Sequence, residues 1–413
     1  MKIAIVNKFF FLKGGQESLM FEEANHLQQN GFEIAFFSMH HPDNDPDYKY
    51  SKYFVDHVEL SNMGKEYSFL EKIYIATNFI YNHKAAERFK SFLNDFKPDI
   101  IHCHGIAHQI SPSILKVAKK YNIPVVQTLH DYQLVCPNYT FMLGAEKICV
   151  DYKCISGNYY NCLLYQCVKK TYLASFISML EAYFNRLTGI YIKNVSKFIA
   201  PSKFLMQIII NSGIDEDQIV YIPNFVEEYK GSIEISNKRY FLYIGRLSFE
   251  KGLKTILNAF KDLSDANLKI IGTGPMETEL IEYSLQNNIK NVEFLGFIPR
   301  NKIDGYIRAC EAIILPSEWY ENAPVSIIEA FSMQKPVIAS SAGGIPEMVE
   351  DGYNGYLFPV SDVESLKFQI SRFIDNPDLS LILGKNAYKY YDNNFNKEKH
   401  MSKLILLYES LLG

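Results

Sequence analysis

Short apolar runs alternate with segments of helical period along almost the whole chain. Ile3–Asn7 reads as a buried strand. After the Gly14-Gly15 turn, Gln16–Gln29 sets Leu19, Met20, Ala24 and Leu27 on one side of a helix that Gly31 stops. Further strands are predicted at 33–38, 99–103, 125–129 and 197–200, with helices between. Strands this short and continuously apolar make a parallel sheet covered on both faces. Pro223-Asn224 closes the series, and the polar stretch Glu227–Lys238 reads as a linker. The alternation then restarts, with strands predicted at 240–244, 268–271, 292–295, 312–315 and 336–339. The expected architecture is therefore α/β, with two Rossmann-like, doubly wound parallel-sheet domains facing across a cleft. Residues 1–222 form the first, 223–239 a linker, 240–395 the second, and 396–413 a last helix free to pack back on the N-terminal domain. Ligands of such sheets sit at the carboxyl ends of the strands.

Composition narrows the classes. With 413 residues, 48% apolar and 21% charged, the chain is globular, and a formal charge of −4 argues against a general nucleic-acid binder. The charge is uneven: residues 1–200 carry 21 basic and 18 acidic side chains, residues 201–413 carry 21 and 28. No apolar run approaches the ~20 residues that span a bilayer. Lys2, Asn7 and Lys8 interrupt the apolar start, which reads as a strand rather than a signal peptide. The expected location is cytoplasmic, where seven cysteines do not form a disulfide framework.

Candidate chemistry gathers on loops that follow strands. In Pro316–Glu347, Glu321 and Glu329 flank Pro324, which suits the start of a helix. The N–H groups of Val325, Ser326 and Ile327 and the helix dipole then suit a phosphate. A carboxylate on each side could accept hydrogen bonds from sugar hydroxyls. Set against this is an ordinary solvated helix start with two unrelated glutamates. In GRLSFEKG (Gly245–Gly252), Arg246 and Lys251 share one strand-to-helix loop and can clamp a diphosphate, where a plain surface loop would carry such cations singly. Gly14-Gly15 lets backbone approach an anion, and Gly272-Thr273-Gly274-Pro275 follows a strand without completing a dinucleotide fingerprint. His130 ends a strand beside Asp131, as a site residue or as a loop cap. His102 and His104 share one strand face, and His104 is assigned to an acceptor-side wall.

These segments, with IGTGP, EFLGFIP, DIIHCHG, TLHDYQLVCPN and FIAPS in this order, resemble the retaining glycosyltransferases of family four, which have the GT-B fold. The resemblance spans about residues 1–375 and is stronger in the second domain. It implies that Arg246 and Lys251 contact the diphosphate of a UDP- or GDP-sugar donor, that Glu329 holds the ribose, and that Glu321 holds the transferred sugar. Gly15 would lend its amide to a phosphate, Ile298 lies where main chain meets the base, and His130 stands beside the reacting sugar. Many relatives have Glu-Gly at the first glutamate. This chain has Glu321-Asn322, and Asn322, Ala323 and Pro324 complete that contact strip. The resemblance further implies a metal-independent hexosyl transfer to a glycan or lipid-linked glycan in cell-surface polysaccharide, lipopolysaccharide or glycoconjugate synthesis. The alternatives are a nucleotide-sugar binder without transferase activity, or a sugar-nucleotide hydrolase or epimerase. A nicotinamide oxidoreductase is disfavoured by the missing glycine fingerprint.

Two features stand apart. Cys136, Cys149, Cys154, Cys162 and Cys167 crowd one loop segment, at spacings looser than a paired Cys-x2-Cys site. A structural zinc and unligated thiols are the two readings. Apolar stripes at Tyr67–Phe96 and at Lys169–Lys197 are expected to be helix faces buried in the core. A peripheral contact with the cytoplasmic face of a membrane is the alternative.

Overall fold

The computed structural model describes residues 1–57, 77–144, 147–229 and 239–413. In the first domain the strands are β1 (Lys2–Val6), β2 (Glu33–Phe37), β3 (Ile100–Cys103), β4 (Val125–Thr128), the small hairpin β5 (Met142–Leu143) and β6 (Lys147–Ile148), β7 (Lys197–Ala200) and β8 (Ile219–Tyr221). The second domain supplies β9 (Phe241–Ile244), β10 (Leu268–Ile271), β11 (Val292–Gly296), β12 (Ile313–Leu315), β13 (Val337–Ser340) and β14 (Gly355–Phe358). Each domain builds one six-stranded sheet, ordered β2-β1-β3-β4-β7-β8 and β11-β10-β9-β12-β13-β14, and every pairing within them is parallel. The predicted strands are all present. The two edge strands β8 and β14 were not read from the pattern; each has only three or four residues.

Both faces of both sheets are covered, which is why the strands read as apolar runs. Ile3, Ile5, Ile100 and Val126 pack on one side of the first sheet, and Ala4, Val6, Ile101 and Val125 on the other. The last helix, Lys397–Leu412, returns to the first domain. There Met401, Leu404 and Tyr408 pack against Ile3, Ile5, Met20 and Ile100. Burying a leucine such as Leu404 completely is worth about 1.5–3 kcal/mol, so the return is an energetic tie between the chain's two ends.

One amphipathic helix departs from expectation. In Tyr172–Thr188 the buried residues are Ser175 and Glu181, whereas Leu173, Leu180 and Leu187 are 64%, 40% and 81% exposed. Polar anchoring orients it: Glu181 accepts hydrogen bonds from the Tyr139 hydroxyl at 3.1 and 3.2 Å, and Ser175 bonds the backbone of Val168. The Lys169–Lys197 stripe is therefore turned partly outward instead of forming core. In the other stretch, Phe89, Phe92 and Phe96 are buried as expected, and residues 67–76 lie outside the described residues.

Candidate functional site

Chain direction makes the crevice. From β9 the chain moves to β10 on one side and later to β12 on the other, so the loops 245–252 and 316–324 diverge at the carboxyl ends of adjacent strands. The first carries Arg246 and Lys251 and the second carries Glu321. Lys251 Nζ lies 2.6 Å from Glu321 Oε1, which also accepts a hydrogen bond from the Ser317 hydroxyl at 2.6 Å. Burial would raise the Glu321 carboxyl, but the Lys251 charge and these hydrogen bonds outweigh it and hold it below the usual range. The Lys251 ammonium also sits 5.0 Å from the Trp319 ring centre.

Two glycines set these loops backbone to backbone. A Cβ on Gly272 would stand 1.9 Å from the Gly245 carbonyl oxygen, and one on Gly343 would stand 2.2 Å from that of Glu321. Both have positive φ, 134° and 61°. Gly272 and Gly274 thus act here by packing their loop against 245–247. Gly343 does the same beneath the glutamate.

Pro324 precedes the helix Val325–Ser332, as its position predicted. Among the described residues the Val325 and Ser326 N–H groups have no backbone acceptor, whereas Ile327 N–H already donates to Pro324 O at 3.1 Å. The helix start therefore leaves two amides open, not the three expected. Gly15 faces it from the first domain: an added Cβ there would be 3.8 Å from the Val325 side chain. On the same helix Glu329 pairs with Arg300 at 2.8 Å. Burial raises Glu329 and Arg300 opposes that rise. Ile298 is half-buried just after β11, two residues before Arg300.

Residues of both domains line a cleft of about 220 Å³, among them Gly15, His130, Asp131, Trp319, Glu321 and Val325. The domains are latched along it. Asn322 donates to the carbonyls of Leu129 and His130 at 3.1 and 3.4 Å and accepts from Ser202 at 2.6 Å. Tyr132 donates to Tyr320 O at 2.7 Å, and Asn224 to Ala323 O at 3.1 Å. The Asn322 side chain is thus spent on the other domain. Arg246 is exposed and among the described residues makes no ion pair. Lys13, beside the glycine turn, is lowered chiefly by burial; Glu17 opposes the shift and the Arg246 charge adds to it. Lys13 and Arg246, from opposite domains, are thus close enough to repel each other, and Glu17 is the acidic group that offsets this at Lys13.

His130 lines the cleft at the end of β4. Its Nε2 lies 2.9 Å from His104 Nδ1, so His104 is not an acceptor-side wall but a buried neighbour behind His130. Burial lowers His130 to about 4 and raises Asp131 to about 6.

The cysteine segment closes on itself. Cys136, Cys149, Cys154, Cys162 and Cys167 are all buried and reduced, and line one small cavity. Burial raises Cys136 and Cys154 to about 12, and a hydrogen bond between Cys162 and Cys167 raises the former and lowers the latter. Among the described residues, the trio whose donor atoms lie within 4.8 Å of one another is not found here; it is Glu23, His102 and His104.

Sequence reasoning missed Lys13, Arg300, Ser202, Ser317 and Asn224. Ser317, Ser202 and Arg300 lay within or beside quoted motifs, and Asn224 in the pair that closes the first series, but nothing local marks the partners that Ser202 and Asn224 find across the cleft. Residues 13–229 match the family described as Glycosyltransferase Family 4, and residues 225–390 match Glycosyl transferases group 1. Among relatives, the glycosyltransferase MJ1178 of Methanocaldococcus jannaschii is 32% identical over 41% of this chain and 48% of its own, so the match spans about half of that protein. A 42.6 kDa protein in the cps region of Klebsiella pneumoniae is 25% identical over 90% of this chain and 93% of its own. O-antigen chain mannosyltransferase C of Escherichia coli is 23% identical over 73% and 81%. Of solved structures, sucrose-phosphate synthase from Thermosynechococcus elongatus superposes with a TM-score of 0.72 at 21% identity, covering 99% of this chain and 98% of that one. Anabaena Alr3699/HepE in complex with UDP-glucose gives 0.68 at 18%, covering 99% and 100%. These likenesses establish the two-domain GT-B fold.

Proposed function

Because the chain belongs to glycosyltransferase family 4, we propose that it moves a sugar, with retention of anomeric configuration, from a UDP- or GDP-sugar to a hydroxyl of a glycan or lipid-linked glycan. The observation that carries this reading is the charge pattern of the cleft. Among the described residues Arg246 has no ion pair and the Val325 and Ser326 N–H groups have no backbone acceptor, and Arg246 repels Lys13 of the other domain, which Glu17 offsets in part. A diphosphate supplies the missing negative charge. Glu321, ionised and poised by Lys251 and Ser317, accepts hydrogen bonds from the transferred sugar, and Glu329 accepts them from the ribose.

In the reaction the bond from the anomeric carbon to the phosphate oxygen breaks. A bond to the acceptor oxygen forms on the same face, and the departing phosphate takes the acceptor's proton. Arg246 and Lys251 stabilise the charge that develops on the leaving group, and no metal ion enters the scheme. The acceptor lies against the first domain. The outward stripe of Leu173, Leu180 and Leu187 favours one presented at a membrane surface, in keeping with work on cell-surface polysaccharide.

Anabaena HepE was solved with UDP-glucose, which makes uridine diphosphate the first probe. Thermal-shift titration with UDP, GDP and their sugars should raise the melting temperature for one base. Transfer to an added acceptor, with the product's anomer read by NMR, then tests the reaction. Nucleotide release that does not depend on acceptor would point to hydrolysis instead. Binding without release would point to a carrier, and no shift with any nucleotide would end the proposal.

A further inference from the structure

The cleft-lining His130 is the visible end of a buried polar chain. Glu23 comes from the helix Gly15–Gln29, His102 and His104 from the end of β3, and His400 and Tyr408 from the returning helix Lys397–Leu412. All five side chains are buried. His400 Nδ1 lies 2.8 Å from Pro223 O and its Nε2 lies 3.0 Å from Glu23 Oε1. Glu23 Oε2 faces His104 Nε2 at 3.6 Å, and His104 Nδ1 meets His130 Nε2 at 2.9 Å.

With Glu23 ionised, the carbonyl and carboxylate contacts along this line fix where the protons sit on His400 and His104. A carbonyl oxygen only accepts, so His400 Nδ1 must carry a proton. A carboxylate also only accepts, so His400 Nε2 carries one too. His400 is then an imidazolium paired with Glu23, whose carboxyl His400 holds below the usual range against the opposing effect of burial. His102 does not compete for the second carboxylate oxygen. Its Nδ1 meets the Tyr408 hydroxyl and its Nε2 the Thr128 hydroxyl, each at 2.7 Å, so both ring nitrogens already have hydrogen-bond partners. The remaining oxygen, Oε2, and His104 Nε2 face each other at 3.6 Å, just beyond hydrogen-bond distance, and among the described residues neither has a hydrogen-bond partner. His104 therefore turns its N–H toward Glu23.

Burial keeps His104 neutral, so its Nδ1 is a lone pair and His130 must donate to it through Nε2. We propose that Glu23 and His400 are positioning residues that write the tautomer of His130, leaving its Nδ1 as a bare acceptor for a sugar hydroxyl in the cleft. The kinetic part rests on the transfer reading above; the tautomer does not. Through this chain the C-terminal helix has a stake in the site although it touches no substrate.

Histidine-selective 15N labelling and long-range NMR of the unliganded protein test it directly. His130, assigned by its loss in His130→Gln, should show a protonated Nε2 and a bare Nδ1. In Glu23→Gln the signal should move to a mixture of tautomers, with kcat down about 10–100-fold, as when an outer partner that orients a histidine is lost. Donor KM should change less than twofold. His400→Gln should shift the same signal. The inference is overturned if wild-type His130 carries its proton on Nδ1, or if both variants keep the wild-type pattern. It is equally overturned if a stoichiometric divalent metal copurifies and is lost in Glu23→Gln, since the ion would take these lone pairs. Should no transfer be found with any donor, the wild-type spectrum still decides the tautomer.

Discussion

Each domain is built on a six-stranded parallel sheet, though with a different strand order, and the two hold their polar groups in opposite ways. In the second domain the charged residues stand on the loops at strand ends and the helices that follow them, and pair at short range, Lys251 with Glu321 and Arg300 with Glu329. In the first, the polar groups run inward from His130 through His104 to Glu23, with His400 and Tyr408 arriving from the far end of the sequence. Loop ion pairs can exchange a protein partner for a ligand group at modest cost. A buried chain cannot, because each group left unpaired there costs about 1–3 kcal/mol or more. The second domain is therefore suited to gripping a charged donor that comes and goes, and the first to holding a fixed geometry for the chemistry.

That contrast can be broken most severely at Arg246. Arg246→Ala should lower turnover at saturating donor by ~10²–10³, about 2.7–4 kcal/mol, as for the loss of one preorganised donor. A loss below fivefold would remove Arg246 from leaving-group stabilisation. Lys251→Ala strips a buried carboxylate of its partner. It should cost stability toward the low end of about 3–5 kcal/mol in denaturant unfolding, because Lys251 keeps some exposure. An unchanged midpoint would mean that Glu321 takes a proton or finds another partner freely. Glu329→Ala should weaken nucleoside-diphosphate binding by roughly tenfold, about 1.4 kcal/mol, in calorimetry; equal affinity would place the ribose elsewhere.

The smallest effect probes the buried side of the first domain. Burial lowers His102 and His130 to about 4, so their contribution to stability is full above about 6.5 and is lost as pH falls toward 4. Glu181 acts in the other sense. Burial raises it to about 7, so its contribution is present at acid pH and lost as pH rises through that value. Glu181→Gln should thus stabilise the protein more at pH 8 than at pH 5, by on the order of 1 kcal/mol. Equal shifts in melting temperature at both pH values would show that Glu181 does not titrate between them.

How far such features could be read in advance follows the same division. Glu321, Pro324 and Glu329 fall on one short stretch whose spacing already implies a helix start between two carboxylates, and Arg246 and Lys251 share a loop after a strand. The outward face of Tyr172–Thr188 was misread because periodicity reports that a helix has an apolar side and not which way it turns. There Glu181 and Tyr139 overrode the stripe. Asn322 was visible as a departure from Glu-Gly, but its bonds to Ser202 and His130 belong to another domain.

Order along the chain was enough to specify two parallel sheets, the loops that carry charge and the helix start between two glutamates, since each depends on residues a few positions apart. Which groups meet across the cleft, and that a glutamate at 23 and a histidine at 400 stand behind the same imidazole, came from folding alone. Contacts between distant segments are set by how whole elements pack, and packing is a property of the assembled core rather than of any local run of side chains.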